Sequence, residues 1–349
     1  MSSGVRAAIL GASGVVGQRF CELLSDHPFF GPPDLYASER SAGRRLRDAV
    51  TIPDARISGE LLETGMSAVD VSAVKKERYD IIFSALPSKA AGDVETELAA
   101  SGCMVFTNAS PNRMRPDVPL VVPEVNHDHL SMVIGAGGCI VANGNCSAIG
   151  LAMGLAPLRG FGIRGVEVTT LQALSGAGYP GVPSLDALSN VIPYIDAEEE
   201  KLREEIPKMF GVLDGRTIKS ARMEVNATCT RVPVREGHTE CATVTLDRKT
   251  DGEEVAAAFT GFRSLPQERS LPTAPEAPVI FRRELDRPQP LLDVNAGSPP
   301  RARGMAATVG RLRVTGSTVR FVILTHNTIR GAAGGSVLNA EVVHCLGGI

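Results

Sequence analysis

Residues 5–24 read V-R-A-A-I-L-G-A-S-G-V-V-G-Q-R-F-C-E-L-L, and this stretch decides the fold. Val5 to Leu10 is an apolar run of strand length. Val16, Phe20, Leu23 and Leu24 then recur at i, i+4, i+7 and i+8, the spacing of one helical face. Between strand and helix stand Gly11, Gly14 and Gly17, which permit a tight turn, close approach of backbone to phosphate, and close packing of helix on sheet. A helix start there offers free N–H groups and a positive dipole end to an anion. The order predicts a dinucleotide-binding unit with Gly11, Ser13, Gly14, Val15 and Val16 at the phosphates. An ordinary strand-to-helix turn is the plainer alternative, because the spacing is G-x-x-G-x-x-G rather than G-x-G-x-x-G.

Working outward, apolar runs bounded by turn residues recur at Tyr79–Leu86, Met104–Thr107, Leu120–Val122 and Ile140–Ala142, with a helical pattern at Ala90–Ala100. Strands alternating with helices predict an α/β fold, a Rossmann-type doubly wound parallel sheet over residues 1–145. After Cys146 the texture changes. Gly165–Leu174 and Thr230–Leu246 alternate like longer strands, with Val168, Thr170, Gln172 and Leu174 on one face and His238 in phase with Ala242, Val244 and Leu246. This predicts a second, α+β domain over 146–325 with a mainly antiparallel or mixed sheet. Leu271 to Pro300 is rich in proline and reads as an ordered loop or arm.

The totals bound the function. A chain of 349 residues suits two domains, and 43% hydrophobic with 21% charged residues is an ordinary globular balance. A net charge of -3 and the lack of a basic stripe speak against nucleic acid and for a small-molecule ligand. Seven cysteines, scattered and never spaced C-x-x-C, fit neither a disulfide framework nor a zinc site, so reduced thiols in a cytoplasmic protein and no metal are expected. The N-terminus runs at once into a strand-like segment rather than a signal peptide. Leu130–Leu158 carries no charge, yet six glycines and two asparagines interrupt it. A buried strand, turn and helix explain it better than a membrane span.

An NAD-specific fold places Asp or Glu about twenty residues past the glycines, on the ribose hydroxyl. Here residues 36–45 read Y-A-S-E-R-S-A-G-R-R. Ser38, Arg40, Ser41 and Arg44 suit a 2′-phosphate and favour NADP, with Glu39 dissenting and a solvated charged loop as the alternative. The segment V-A-N-G-N-C-S-A-I-G (141–150) sets Cys146 after a strand and a turn, at the start of a helix, where the dipole and free N–H groups lower a thiol's pKa. The other six cysteines lack that setting and read as inert small hydrophobes. A thiolate beside a nicotinamide suggests acyl transfer through a thioester followed by hydride transfer, and such a cycle needs a proton carrier. Of six histidines, His238 follows a glycine on an alternating strand near Arg231, although a structural histidine would look the same.

Here the sequence resembles aspartate-semialdehyde dehydrogenases of the archaeal and fungal branch, over nearly the whole chain. The resemblance is carried by G-A-S-G-V-V-G, Y-A-S-E-R-S-A-G-R, N-R-M-R-P-D-V-P-L-V-V-P-E-V-N (112–126), N-C-S, L-Q-A-L-S-G-A-G-Y-P-G (171–181), E-E-E-K (198–201), R-V-P-V-R-E-G-H-T (231–239) and H-N-T-I-R-G-A-A-G-G (326–335). It implies reversible reductive dephosphorylation of β-aspartyl phosphate to aspartate 4-semialdehyde with NADPH, on the route to lysine, threonine and methionine. It implies Cys146 as nucleophile, His238 as acid/base and Gln172 as the residue orienting substrate and intermediate. Arg231 would pair with the substrate α-carboxylate and Glu198 with its α-ammonium. Lys201 and Arg113, with Asn112, would hold phosphate. Ser175, Gly176 and Asn327 would stand near the nicotinamide. It also implies that 326–349 rejoins the nucleotide domain and that the protein is a homodimer or homotetramer assembled through the second domain.

The i, i+3 spacing of Glu198 and Lys201 puts both on one helical face, although E-E-E-K is equally the pattern of a solvated surface. Two departures stand out. Gly144 occupies a place where many members have proline, which would loosen the turn aiming the thiolate. His326 stands where Asp is usual before Asn327. The malonyl-CoA and succinyl-CoA reductases of the same fold are the alternative, with N-acetylglutamyl-phosphate reductase more distant. A non-catalytic NADP-binding redox sensor is the alternative of another class, against which the joint presence of Cys146, Gln172, Arg231 and His238 argues.

Overall fold

The computed structural model describes residues 4–77 and 79–349. Seven short strands form the first sheet: β1 (Ala7–Leu10), β2 (Asp34–Ala37), β3 (Ser67–Ala68), β4 (Ile81–Ser84), β5 (Met104–Thr107), β6 (Leu120–Val121) and β7 (Cys139–Asn143). All pairs are parallel, in the order β3-β2-β1-β4-β5-β7-β6. β1, β4 and β5 are buried throughout, which is why they read as unbroken apolar runs rather than alternating ones. The chain order reverses beside β1, so a crevice opens at the carboxyl ends of β1 and β4. Among the described residues, no helix is long and apolar enough to cross a membrane.

The second sheet contains β8 (Ile163–Gln172), β11 (Glu224–Arg231), β12 (His238–Leu246), β13 (Val279–Phe281), β14 (Ala307–Thr315) and β15 (Thr318–Thr325); β9 (Val212–Asp214) and β10 (Thr217–Lys219) form a separate hairpin. Its order is β11-β8-β12-β15-β14-β13, and it is mixed, with β11 parallel to β8 and β13 parallel to β14. Thr230–Leu246 is therefore not one strand. Arg231 closes β11, a turn follows, and His238 opens β12. Leu174 also leaves the row expected for it, because β8 ends at Gln172. On β12 every second residue from His238 to Leu246 is buried, as the alternation predicts.

The uncharged stretch resolves into β7, a two-residue turn and the helix Cys146–Leu155, in which Ser147 to Leu155 are all buried. It is apolar all round because it lies inside the protein, between sheet and neighbouring helices. The helix Gly334–Cys345 shares a core with Ile9, Phe83 and Phe106 of the first sheet. Just before it, Arg330 is wholly buried and bidentate on Glu124, at 2.8 and 2.6 Å.

Candidate active site

The register of the second sheet does what sequence spacing alone does not. Arg231 sits opposite Gln172, and His238 opposite Thr325, so the ends of β8, β11, β12 and β15 form one row. The helix Cys146–Leu155 descends onto that row. Asn145 caps it, its Oδ1 accepting from the backbone N–H of Ser147 (3.0 Å) and Ala148 (3.2 Å). Cys146 Sγ stands 3.2 Å from His238 Nε2.

The Ala173 N–H donates to His238 Nδ1 at 3.1 Å. A backbone N–H only donates, so Nδ1 holds the lone pair and the neutral ring carries its proton on Nε2, facing Sγ. Burial and the Arg231 charge push His238 down to about 3. Burial, then Glu198, pushes the Cys146 thiol up to about 12. This corrects the sequence expectation of a lowered thiol pKa. Desolvation and a buried carboxylate outweigh the helix dipole, and the resting pair is thiol and imidazole.

Cys146, with His238 buried behind it, lines a cleft of about 680 Å³ where the loops after β1, β4, β5 and β7 face the second sheet. Gly14, Val15, Val16, Arg113, Gln172, Ser175, Gly176, Glu198, Lys201, Arg231 and Asn327 all line it. Gln172 donates to Glu198 at 3.2 Å, and Arg231 is anchored by the Ala173 carbonyl at 2.7 Å. Gly176 is obligatory in this packing, since a Cβ would stand 2.8 Å from Arg231 Nη1 and 3.2 Å from His238 Nε2. Asn327 bridges the Gly237 N–H (2.8 Å) and the Ser175 hydroxyl (2.7 Å), tying the Ser175 loop to the loop before His238.

Gly11, Ser13, Ser38, Arg40, Ser41 and His238 stand behind or beside the cleft rather than on its lining, and of the expected substrate residues Asn112 does not reach it. Its Nδ2 donates to Glu95 (2.7 Å) and its Oδ1 accepts from Arg115 (3.2 Å), so it braces the loop that delivers Arg113. E-E-E-K is no solvated face either. Glu198 is buried, held by Asn145 (2.9 Å) and Lys201 (2.8 Å). Nor is the turn at Gly144 loose. A Cβ there would overlap Met209 Cε, and the next amide, Asn145 N–H, donates to Glu205 Oε2 at 2.6 Å.

Sequence reasoning missed Glu205 and Lys208. Glu205 pairs with Arg113 at 2.9 Å, and Lys208 donates to the carbonyls of Arg113 (2.7 Å), Arg115 (2.7 Å) and Val118 (2.9 Å). Burial pulls Lys208 down to about 8. Their signal was the spacing: positions 198, 201, 205 and 208 share one helical face.

The glycine turn fits a dinucleotide. Gly11 has φ +87°, and a Cβ at Gly17 would overlap the Gly11 carbonyl. No side chain caps the helix Val15–Leu24, which leaves its first N–H groups for phosphate. The N–H groups of Gly11 and Ala12 bond the Tyr36 carbonyl, which brings the end of β2 beside the turn, where Ser38 and Arg40 are exposed and Ser41 half-buried. Arg44 turns instead to the Asp48 carbonyl.

Family models for semialdehyde dehydrogenases match both parts of the chain, the NAD-binding domain over residues 6–133 and the dimerisation domain over 155–330. An aspartate-semialdehyde dehydrogenase from Archaeoglobus fulgidus is 46% identical over 348 residues, covering 96% of each protein. The chain belongs to the aspartate-semialdehyde dehydrogenase family. Among solved structures, the family's Candida albicans member with NADP superposes with a TM-score of 0.88 at 35% identity, over 99% of both chains. The malonyl CoA reductase (NADP) of Metallosphaera sedula is also similar, 38% identical over 98% of each chain. The chain thus has the α/β architecture of that family, an oxidoreductase family acting on aldehydes.

Proposed function

We propose that this protein is an aspartate-semialdehyde dehydrogenase, reducing β-aspartyl phosphate to aspartate 4-semialdehyde and phosphate with NADPH, reversibly. The observation that carries the reading is the 3.2 Å approach of Cys146 Sγ to His238 Nε2, in a cleft that also presents the glycine turn and two buried arginines. Gly11, Ser13, Gly14, Val15 and Val16 would hold NADPH, with Ser38, Arg40 and Ser41 toward its 2′-phosphate, and the bound cofactor would supply the hydride. Ser175, Gly176 and Asn327 flank its nicotinamide end.

The substrate α-carboxylate meets Arg231, whose fixed fork suits a bidentate partner, and the α-ammonium meets Glu198. Phosphate meets Arg113 and Lys201, each of which exchanges an internal carboxylate partner for it. Sγ attacks the acyl carbon, phosphate leaves, and a thioester remains on Cys146 while Gln172 orients it. His238 exchanges protons with Sγ and with the oxygen on the attacked carbon. In the resting tautomer Nε2 already carries the proton, so Nε2 gives it to that oxygen as it takes up the proton of Sγ, and the Ala173 N–H keeps Nδ1 as its acceptor throughout.

We take residues 1–145 with 326–349 as the nucleotide-binding domain and 146–325 as the catalytic and dimerisation domain, a division that the two separate sheets and the two family models support. The dimerisation-domain match supports a homo-oligomer, dimer or tetramer, and the reading assigns it to the cytoplasm and to lysine, threonine and methionine biosynthesis. Phosphate-dependent reduction of NADP by aspartate semialdehyde tests the assignment. Failure there, with NADPH oxidised by malonyl-CoA or succinyl-CoA, would transfer the protein to the CoA-thioester reductases.

A further inference from the structure

Two residues along β12 from His238, Glu240 turns its side chain to the same buried face. It is wholly buried, and neither carboxyl oxygen has a hydrogen-bond partner among the described residues. The Thr325 hydroxyl, on the strand beside it, is also buried and unpartnered. Both groups converge on the bare backbone of Gly150, one and a bit turns into the Cys146 helix. A Cβ at Gly150 would lie 2.9 Å from Glu240 Oε1 and 2.7 Å from Thr325 Oγ1. Unpartnered buried polar groups are rare, and two meeting at one glycine under a nucleophile's helix call for a reason.

Resting on the assignment of Cys146 and His238 above, we propose that Glu240 is a positioning residue. It is an uncharged carboxylic acid that, with the Thr325 hydroxyl, seats the Cys146 helix on the strand of His238 and so fixes the Sγ–Nε2 distance. Thr325 is the register partner of His238, so one buried polar side chain from each strand closes on Gly150 of the helix. The titratable groups facing Glu240 are Glu198 from its helix, Cys229 from β11 and His238 on its own strand. Burial and the negative Glu198 raise the Glu240 carboxyl well above the usual range, which keeps it protonated. A charge there would hold protons on Cys146 and His238 alike and oppose thiolate formation. Neutrality is therefore part of the role.

The test compares full-length wild type with Glu240→Gln and Glu240→Leu. Three quantities are read: kcat with aspartate semialdehyde, KM for NADP, and the rate of Cys146 alkylation by iodoacetamide from about pH 6 to 9. Gln, polar and uncharged, should hold kcat within about twofold and overlay the wild-type alkylation profile. Leu, which fills the space without a polar end, should lower kcat and alkylation about tenfold or more with KM for NADP unchanged. Gln as damaging as Leu would overturn the uncharged acid, and so would a Gln profile displaced from wild type. Leu as active as Gln would reduce Glu240 to packing and overturn the positioning. Should the Leu variant not fold, Thr325→Val must show the same loss, and an unaffected Thr325→Val overturns the proposal. The alkylation arm needs no substrate, so it still decides if aspartate semialdehyde proves to be the wrong one.

Discussion

At Cys146 the balance of forces is unlike the one its sequence context suggests. The helix start is real, but the helix is buried and Glu198 lies near, and together they push the thiol up to about 12. Cys146→Ala should abolish turnover and leave NADPH affinity unchanged, measured by fluorescence titration; appreciable residual turnover would remove it as nucleophile. Gly176 is the position where a single methyl reaches two functional side chains at once. We expect Gly176→Ala to lower kcat/KM for the semialdehyde at least about tenfold, by misplacing Arg231 and His238. A variant with ordinary kinetics would show that the turn yields cheaply.

Among the elements, the helix Cys146–Leu155 depends most on its cap. Asn145 satisfies two helix N–H groups with its oxygen and the Glu198 carboxylate with its nitrogen. Asn145→Ala should cost about 2–3 kcal/mol, combining a lost cap with a buried carboxylate left short of donors. Denaturant unfolding measures this, and an unchanged midpoint would mean that the turn is held by Glu205 and Met209 alone. The helix Glu198–Met209 shows how far element-scale reading reaches. Its amphipathic spacing was legible, and so was the shared face of Glu198 and Lys201. That this charged face is the buried one depends on the Arg113 loop and the Cys146 turn, which come from elsewhere in the chain.

Across the whole molecule, the Arg330–Glu124 pair joins the C-terminal return to the first sheet with no access to water. Glu124→Ala strands a buried guanidinium and should cost about 3–5 kcal/mol in global unfolding. A loss below about 1 kcal/mol would mean that water reaches Arg330. Acid stability gives a second handle. Burial and Arg19 push His326 down to about 3, whereas in the unfolded chain it titrates near 6.5. The unfolded state therefore takes up the proton first, and stability falls as pH drops from 6.5 toward 3, by roughly 1.4 kcal/mol per pH unit for this histidine. His326→Gln should flatten the acid limb by that slope, read as the difference from wild type. The difference isolates it from Glu95, Glu236 and Glu240, whose raised carboxyls act with the opposite sign. Parallel limbs would place a proton on His326 in the native state.

The sequence by itself determined the Rossmann-type half, because a strand, three glycines and an amphipathic helix encode local geometry that needs no distant partner. It also determined Cys146, Gln172, Arg231 and His238 as the residues to watch, through the motifs shared with the family. Only the tertiary structure decided how they meet. Strand register is set by long-range pairing, and it alone aligns Gln172, Arg231 and His238 in one row. It also placed the Asn112 amide on Glu95, away from the cleft, and brought Glu205 and Lys208 to the Arg113 loop. The protonation of Cys146 belongs to the same class. A dipole is local to a helix, but desolvation and the field of Glu198 exist only once the chain has closed around the thiol.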